Sequence, residues 1–364
     1  GSAEWKEFFR LFDARTEVYD FKTADILKYE ENKEFYDSLG LTEEEAALLG
    51  NYNYGVDDRI DAGLMERISA YALEKEGYFG KSLREGLWLY KARLSNTPGL
   101  DFDAEQEFPF LLTEAVLIVL LLLAAYLGKR AALLWQLLLF GGVRSVLWMY
   151  LILRNRVPVR ISHPLYFAEI VMLAAWLLHY LKDGQFTAKE KLSARRWLNP
   201  VYVSAVLLFV TAISLFPRSM EKTGEEYASR EGINRTDTAA RAYYRGHPEI
   251  LYLADVYSTV QFSEKMFRGG ETLLGNYDLL GGWLCKSPLA EKKLEAFGYV
   301  SLEDALVNGE NVRLVSLKGE SWEWLEAYYR ERGLVIRVIM EERIPGGTEG
   351  NELEVYRLQK EEIS

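Results

Sequence analysis

Residues 115–127 carry no charged side chain, and they form the densest part of four successive apolar runs. The runs cover residues 109–127, 131–153, 164–181 and 197–216, and so are 19, 23, 18 and 20 residues long. A bilayer core of about 30 Å takes about 20 apolar residues at a rise of about 1.5 Å each. One such run would fit the buried helix of a water-soluble domain. Four in a row, separated by short basic loops, predict four transmembrane helices.

Charge is segregated along the chain to match. Residues 1–108 hold 13 Lys/Arg and 24 Asp/Glu, residues 109–216 hold 11 and 4, and residues 217–364 hold 19 and 26. The net charges are −11, +7 and −7. These limits define three expected segments: 1–108 helical, 109–216 in the membrane, and 217–364 a small α/β domain. The loops set the direction. Lys129, Arg130, Lys182, Lys189, Lys191, Arg195 and Arg196 lie in the first and third loops, against Arg154, Arg156 and Arg160 in the second. Positive residues stay in the cytoplasm, so both acidic segments are expected outside it. The protein is thus read as a mainly α membrane protein. Its four transmembrane helices lie between an extracytoplasmic helical segment and a small extracytoplasmic α/β domain.

Acidic ends are a poor match to nucleic acid, whose phosphates need clustered Lys/Arg. Cys285 is alone, so no intrachain disulfide or cysteine zinc cluster is expected. His163, His179 and His247 show no metal-ligand spacing. No metal site is expected, and no cofactor motif is recognised.

Three ionisable residues interrupt the apolar runs. Glu114 and Glu169 are each the sixth residue of their run, roughly 8 Å below one surface at about 1.5 Å per residue. Arg144 lies nine residues before the end of the second run, about 14 Å below the same surface. All three fall in the outer half. An unpaired charge there is costly, so such groups pair or face water. Two readings stand: an outward-opening polar pocket, or an Arg144–Glu169 or Arg144–Glu114 pair that fixes helix packing. Gly141-Gly142 would permit close helix approach.

In the first segment, residues 3–12 place Trp5, Phe8, Phe9 and Phe12 on one helical face. Thr42 and Glu45 form a capping box before a helix at 43–49. Residues 61–76 and 83–94 predict two more helices, the second ending before Thr97-Pro98-Gly99. In the last segment, helical patterns run to about Arg245. Strands are predicted at 250–254, 312–317, 334–340 and 353–358, with a helix at 320–332. Ligands of such sheets gather at the carboxyl ends of strands. Asp255 follows the first strand, and Asn276, Asp278 and Trp283 stand beside Gly281-Gly282. The set reads as a carbohydrate or polar-ligand site with Trp283 as platform, or as a turn in which Asn and Asp cap backbone groups.

Two stretches resemble known sequences. The first runs Phe9-Arg10-Leu11-Phe12-Asp13-Ala14-Arg15, Val18-Tyr19-Asp20 and Tyr36-Asp37-Ser38-Leu39-Gly40-Leu41-Thr42. It resembles a segment of uncharacterised polytopic membrane proteins from Gram-positive anaerobes. Tyr252-Leu253-Ala254-Asp255, Asn276-Tyr277-Asp278 and Gly281-Gly282-Trp283 resemble their outward-facing tail. Because membrane helices precede the first stretch in that family, the resemblance implies a fragment lacking its N-terminal spans; the start at Gly1-Ser2 fits this. More loosely, membrane helices plus an external α/β tail look like GT-C glycosyltransferases, which use lipid-linked sugar donors. Their catalytic carboxylate lies in the first outer loop, which makes Asp20, with Arg15 beside it, the candidate. A non-catalytic envelope assembly or anchoring protein is the alternative expectation.

Overall fold

The computed structural model describes residues 2–98, 104–127, 130–182, 200–262 and 274–361. The chain is mainly helical, with three helices long and apolar enough to span a membrane and one small sheet. It divides into two compact units: residues 1–77 with 226–364, and residues 78–225. These limits differ from the composition boundaries at 108/109 and 216/217. Charge content changes where the apolar runs begin, whereas compact units follow packing.

In the first unit, α1 (Ala3–Phe21) and α4 (Ala62–Glu76) pack together, with α2 (Lys33–Ser38) and α3 (Glu43–Gly50) between them in sequence. Helix α3 starts at the expected capping box: Thr42 Oγ1 accepts from Glu45 N at 3.3 Å, and Glu45 Oε2 accepts from Thr42 N at 3.1 Å. Asp61 caps α4 by accepting from Leu64 N at 2.7 Å. Helix α4 ends at Gly77, whose φ of +75° suits a residue without a Cβ. The buried face of α1 is Phe8, Leu11, Ala14, Arg15 and Val18. Phe9, expected on that face, is exposed. The true stripe continues for two further turns, and Phe9 lies off it.

The same unit holds a five-stranded sheet in the order β2-β1-β3-β5-β4. The strands are β1 (Leu251–Ala254), β2 (Tyr277–Leu279), β3 (Val312–Leu317), β4 (Ile336–Arg343) and β5 (Leu353–Lys360). Strand β1 is parallel to β2 and β3, while β5 runs antiparallel between β3 and β4. The expected strand–helix–strand unit is thus β3, α13 (Glu323–Glu331) and β4, with β5 inserted between its strands. Helices α11 (Pro288–Ala296) and α12 (Leu302–Asn308) precede β3. The N-terminal helices and the sheet share one hydrophobic core, in which Leu11, Val18, Leu48 and Ile68 join Leu251, Leu253, Leu314 and Leu325. A partly buried ion network ties the two stretches as well. Arg332, just past α13, donates to Asp57 Oδ2 at 2.8 Å and to Glu303 Oε1 at 2.9 Å.

The second unit contains α5 (Leu83–Leu94), α6 (Ala104–Leu127), α7 (Ala131–Leu153), α8 (Val159–Lys182) and the first part of α9 (Pro200–Gly246). The three membrane-length segments are Glu107–Tyr126, Ala131–Leu153 and Val159–Tyr180. A third or less of each is buried within the chain. Their outward side chains include Val119, Leu123, Leu138, Leu139, Val146, Phe167 and Leu178, all exposed. Water would make such a surface untenable, because apolar area costs about 25 cal/mol per Å². Lipid makes it the stable arrangement. The third span begins earlier than expected because Pro164 sits inside α8. Of the fourth expected run, 197–199 lie outside the described residues, and 200–216 form the start of α9.

Candidate functional site

In the second unit, Arg144 on α7 is the hub of a buried polar cluster. Its Nε donates to Glu169 Oε2 at 3.1 Å, Nη2 to Glu114 Oε2 at 2.9 Å, and Nη1 to the Tyr90 hydroxyl at 3.1 Å. Trp148, one helical turn from Arg144, donates Nε1 to Glu169 Oε1 at 2.9 Å. Local sequence explains the convergence. Glu114 follows Pro109 by five residues on α6, and Glu169 follows Pro164 by five on α8. Helices α6 and α8 pack together, and both present their carboxylates to the helix between them in sequence. A second pair, Arg93 with Glu107, lies beside it; Glu107 also accepts from the Tyr166 hydroxyl at 3.1 Å. The Trp148 ring lies 5.2 Å from the Arg93 guanidinium and 5.4 Å from that of Arg144. The three charges of the membrane-length helices therefore form one ion-paired cluster that joins three helices. Tyr90 and Trp148 complete it; sequence offered Trp148 as an interfacial-belt or packing residue, and it is a fully buried packing residue, while Tyr90 was not singled out. Trp148 was legible, since it stands four residues after Arg144 on one helix face.

In the first unit, Arg15 is 1% exposed. It donates to the Tyr52 hydroxyl at 2.5 Å and to Thr16 Oγ1 at 2.7 Å, and lies 4.8 Å from the Phe12 ring. Among the described residues no carboxylate forms an ion pair with it. Burial pushes the Tyr52 phenol up to about 12, against the downward pull of Arg15; the nearby Asp20 charge adds to the rise. Tyr52 has a φ of +67°. This turns its carbonyl toward Gly281, where a Cβ would come within 1.9 Å of it. Gly281 is therefore required by close approach. On the other side, the Tyr52 ring packs 5.6 Å from Tyr257 and 6.0 Å from Trp283. Arg15 and Trp283 thus meet the same tyrosine, from opposite ends of the sequence.

Asp255 follows β1 and is occupied on both oxygens. Oδ1 accepts from Asn53 Nδ2 at 2.7 Å, and Oδ2 from Ser258 N at 2.8 Å, capping the short α10 (Val256–Thr259). Asn276 is equally committed. Its Nδ2 donates to the carbonyls of Tyr244, His247 and Ile250 at 2.8, 3.0 and 3.1 Å, closing the end of α9. The stretch read as a turn is strand β2, with Tyr252 N donating to Asn276 O at 2.9 Å. Three residues are too few to show alternation, so the pairing with β1 defines the strand.

Asp278 on β2 differs, because it borders a cleft of about 250 Å³. Leu251, Leu253, Leu279 and Leu294 line the floor. Asp58, Asp278, Lys286, Glu291, Lys293 and Ser301 supply its polar groups. Lys293 Nζ holds Asp278 Oδ2 at 2.9 Å and the Tyr277 carbonyl at 2.6 Å. Burial raises the Glu291 carboxyl, and the like charges of Glu4 and Glu295 add to it. Burial also pushes the Cys285 thiol, in the cleft wall, up to about 12. Such a thiol is an inert packing group. Sequence reasoning found Asp278 but not the rest, which come from a loop, a helix and a turn spread over residues 58–301.

No family model, curated protein or solved structure matches the chain.

Proposed function

We propose that this is a bacterial plasma-membrane protein of the cell envelope that binds a ligand rather than transforming one. Both non-membrane stretches, 1–108 and 217–364, lie outside the cytoplasm, and the start of α9, 200–216, serves as a fourth span. The cleft beside β2 takes a small polar ligand with one apolar face, such as a sugar. One observation carries the choice of binding over catalysis. Glu114, Glu169, Asp255 and Asp278 are each already held by an arginine, a lysine, an asparagine or a backbone N–H. A general acid or nucleophile needs a carboxylate that reaches substrate, and these are spent on structure. A glycosyltransferase reading would rest on Asp20 beside the Arg15–Tyr52 pair, with a lipid-linked sugar as donor.

The test is saturation-transfer NMR of the purified full chain against a panel of monosaccharides. A transfer signal that Ala290→Trp removes, by filling the cleft, supports the reading. Signals that survive Ala290→Trp, or no signal from any sugar, refute it. Sugar release from a lipid-linked donor that is lost in Asp20→Asn would favour the enzymatic reading instead.

A further inference from the structure

Helix α5 carries an exposed apolar stripe. Leu83, Leu87 and Leu94 stand at i, i+4 and i+11, which at about 100° per residue puts all three within about 40° of one another. Each is half exposed or more. Lys91 and Arg84, both exposed, follow within about 60° of Leu87 on one side of the stripe, and the exposed Trp88 stands beyond them. Another side of α5 packs on α7. Gly86 permits the approach, since a Cβ there would come within 2.7 Å of Leu153 and 3.1 Å of Met149. One turn later the Tyr90 hydroxyl lies 3.0 Å from Ser145 Oγ and accepts from Arg144. These contacts fall on the last nine residues of α7, about 12 Å of its length at about 1.5 Å per residue. Half of a bilayer core is about 15 Å. Helix α5 thus lies along α7 within the depth of one leaflet.

The surroundings of the stripe select what covers it. Val143, Val146, Leu147 and Tyr150, in the same part of α7, are exposed as well, and so are apolar residues along α6 and α8. Helix α5 and these membrane-length helices belong to one compact unit, so the stripe continues the surface that they turn to lipid. The charges bordering it separate lipid from a second protein. The core of a protein interface is depleted of charge, whereas Lys91 and Arg84 flank the leucines here. Beside a bilayer their stems lie along the apolar layer and their cations reach the headgroups. Trp88, and Tyr78 exposed just before α5, are residue types that gather at that level.

We propose that α5 is an interfacial membrane helix. It lies in the leaflet that surrounds the C-terminal end of α7, with Leu83, Leu87 and Leu94 among the acyl chains and Arg84 and Lys91 at the headgroups. This placement rests on α7 crossing a bilayer. It adds no crossing of its own, so the sidedness of the chain is unchanged.

The full chain carrying Leu87→Cys, Leu94→Cys, Arg84→Cys, Val143→Cys or Val300→Cys is spin-labelled and reconstituted in dioleoylphosphatidylcholine vesicles; the native Cys285 is buried. All five positions are exposed, so each variant keeps the packing of its element. Electron paramagnetic resonance reads how often each label collides with oxygen, which concentrates in lipid, and with a water-soluble nickel chelate present on both sides of the membrane. Val143 lies about 15 Å from the end of α7 and marks the bilayer centre, while Val300 marks water. The oxygen-to-nickel collision ratio of Leu87→Cys and Leu94→Cys should be several-fold above that of Val300→Cys and below that of Val143→Cys, with Arg84→Cys lower than either leucine position. Leu87→Cys and Leu94→Cys at the ratio of Val300→Cys would overturn the proposal. Labels shielded from both reagents and broadened by spin–spin coupling would assign the stripe to a second copy of the chain and overturn it as well. A Val143→Cys ratio equal to that of Val300→Cys would instead remove the spanning of α7, and the interfacial placement with it.

Discussion

Replacing Arg144 with methionine removes the residue that bonds both Glu114 and Glu169, the two carboxylates of the membrane-length helices α6 and α8. The methionine fills a similar volume, so lost packing contributes little. Breaking a buried pair by deleting one partner costs about 3–5 kcal/mol, because a charge is left uncompensated. A lower bound comes from hydrogen bonds measured between membrane helices, at about 0.6 kcal/mol each. Arg144 makes three, so about 2 kcal/mol is the least expected. Glu114→Gln should cost less, under about 1 kcal/mol, since glutamine still offers Arg144 an oxygen and Glu114 Oε1 has no hydrogen-bond partner to lose. Combining Arg144→Met with Glu114→Gln and Glu169→Gln should recover most of the loss, as neutral groups need no counter-ion. The assay is unfolding of the detergent-solubilised chain in increasing SDS, followed by tryptophan fluorescence; Trp148 lies within the cluster. An Arg144→Met protein within about 0.5 kcal/mol of the parent, the range of an unremarkable surface change, would refute the cluster as a structural hub. So would a triple variant as unstable as the single one.

Gly281→Ala should destabilise the sheet-bearing unit by at least about 3 kcal/mol, because the added Cβ meets the Tyr52 carbonyl, which is backbone and cannot swing aside; thermal unfolding of the purified protein reads this. Tyr52 makes stability pH-dependent in the alkaline range. Its folded value of about 12 stands above the ordinary 10, so its contribution is complete below about pH 10 and is lost as pH rises through about 12. Two units correspond to about 2–3 kcal/mol. Tyr52→Phe should therefore start lower near pH 7, having lost the Arg15 bond, and the gap to the parent should narrow between about pH 10 and 12. A gap that is constant across that window would contradict the assignment.

Most elements were legible in the sequence because single strong signals defined them. The capping box at Thr42, the breaker after Leu94 and the apolar run at 131–153 gave helix limits that hold to within a residue or two. What escaped were features made by packing. Phe9 looked buried because spacing over ten residues could not tell which of two adjacent stripes meets α4. Strand β2 looked like a turn because it is three residues long and stands between Asn276 and Gly281-Gly282. The union of residues 1–77 with the sheet was invisible, since the intervening second unit separates them by almost 150 residues and leaves no periodic trace. The same holds for the sites. Glu114, Arg144 and Glu169 stood out as charges in apolar runs, whereas Tyr90 looks like any helical tyrosine. The cleft around Asp278 exists only because Asp58 and Ser301 are folded against it.

In the proposed arrangement the chain is embedded in a membrane and its sheet-bearing unit lies outside the cytoplasm. Single cysteines at two positions test it most directly. Val300 is 85% exposed in the sheet-bearing unit, and Lys189 lies between α8 and α9 in sequence. The native Cys285 is buried and contributes little background. Intact cells producing Val300→Cys or Lys189→Cys are treated with a membrane-impermeant maleimide before and after permeabilisation. Labelling of Val300→Cys in intact cells, with Lys189→Cys labelled only after permeabilisation, is the expected result. Lys189→Cys labelled from outside, or Val300→Cys protected until the membrane is opened, would contradict the account.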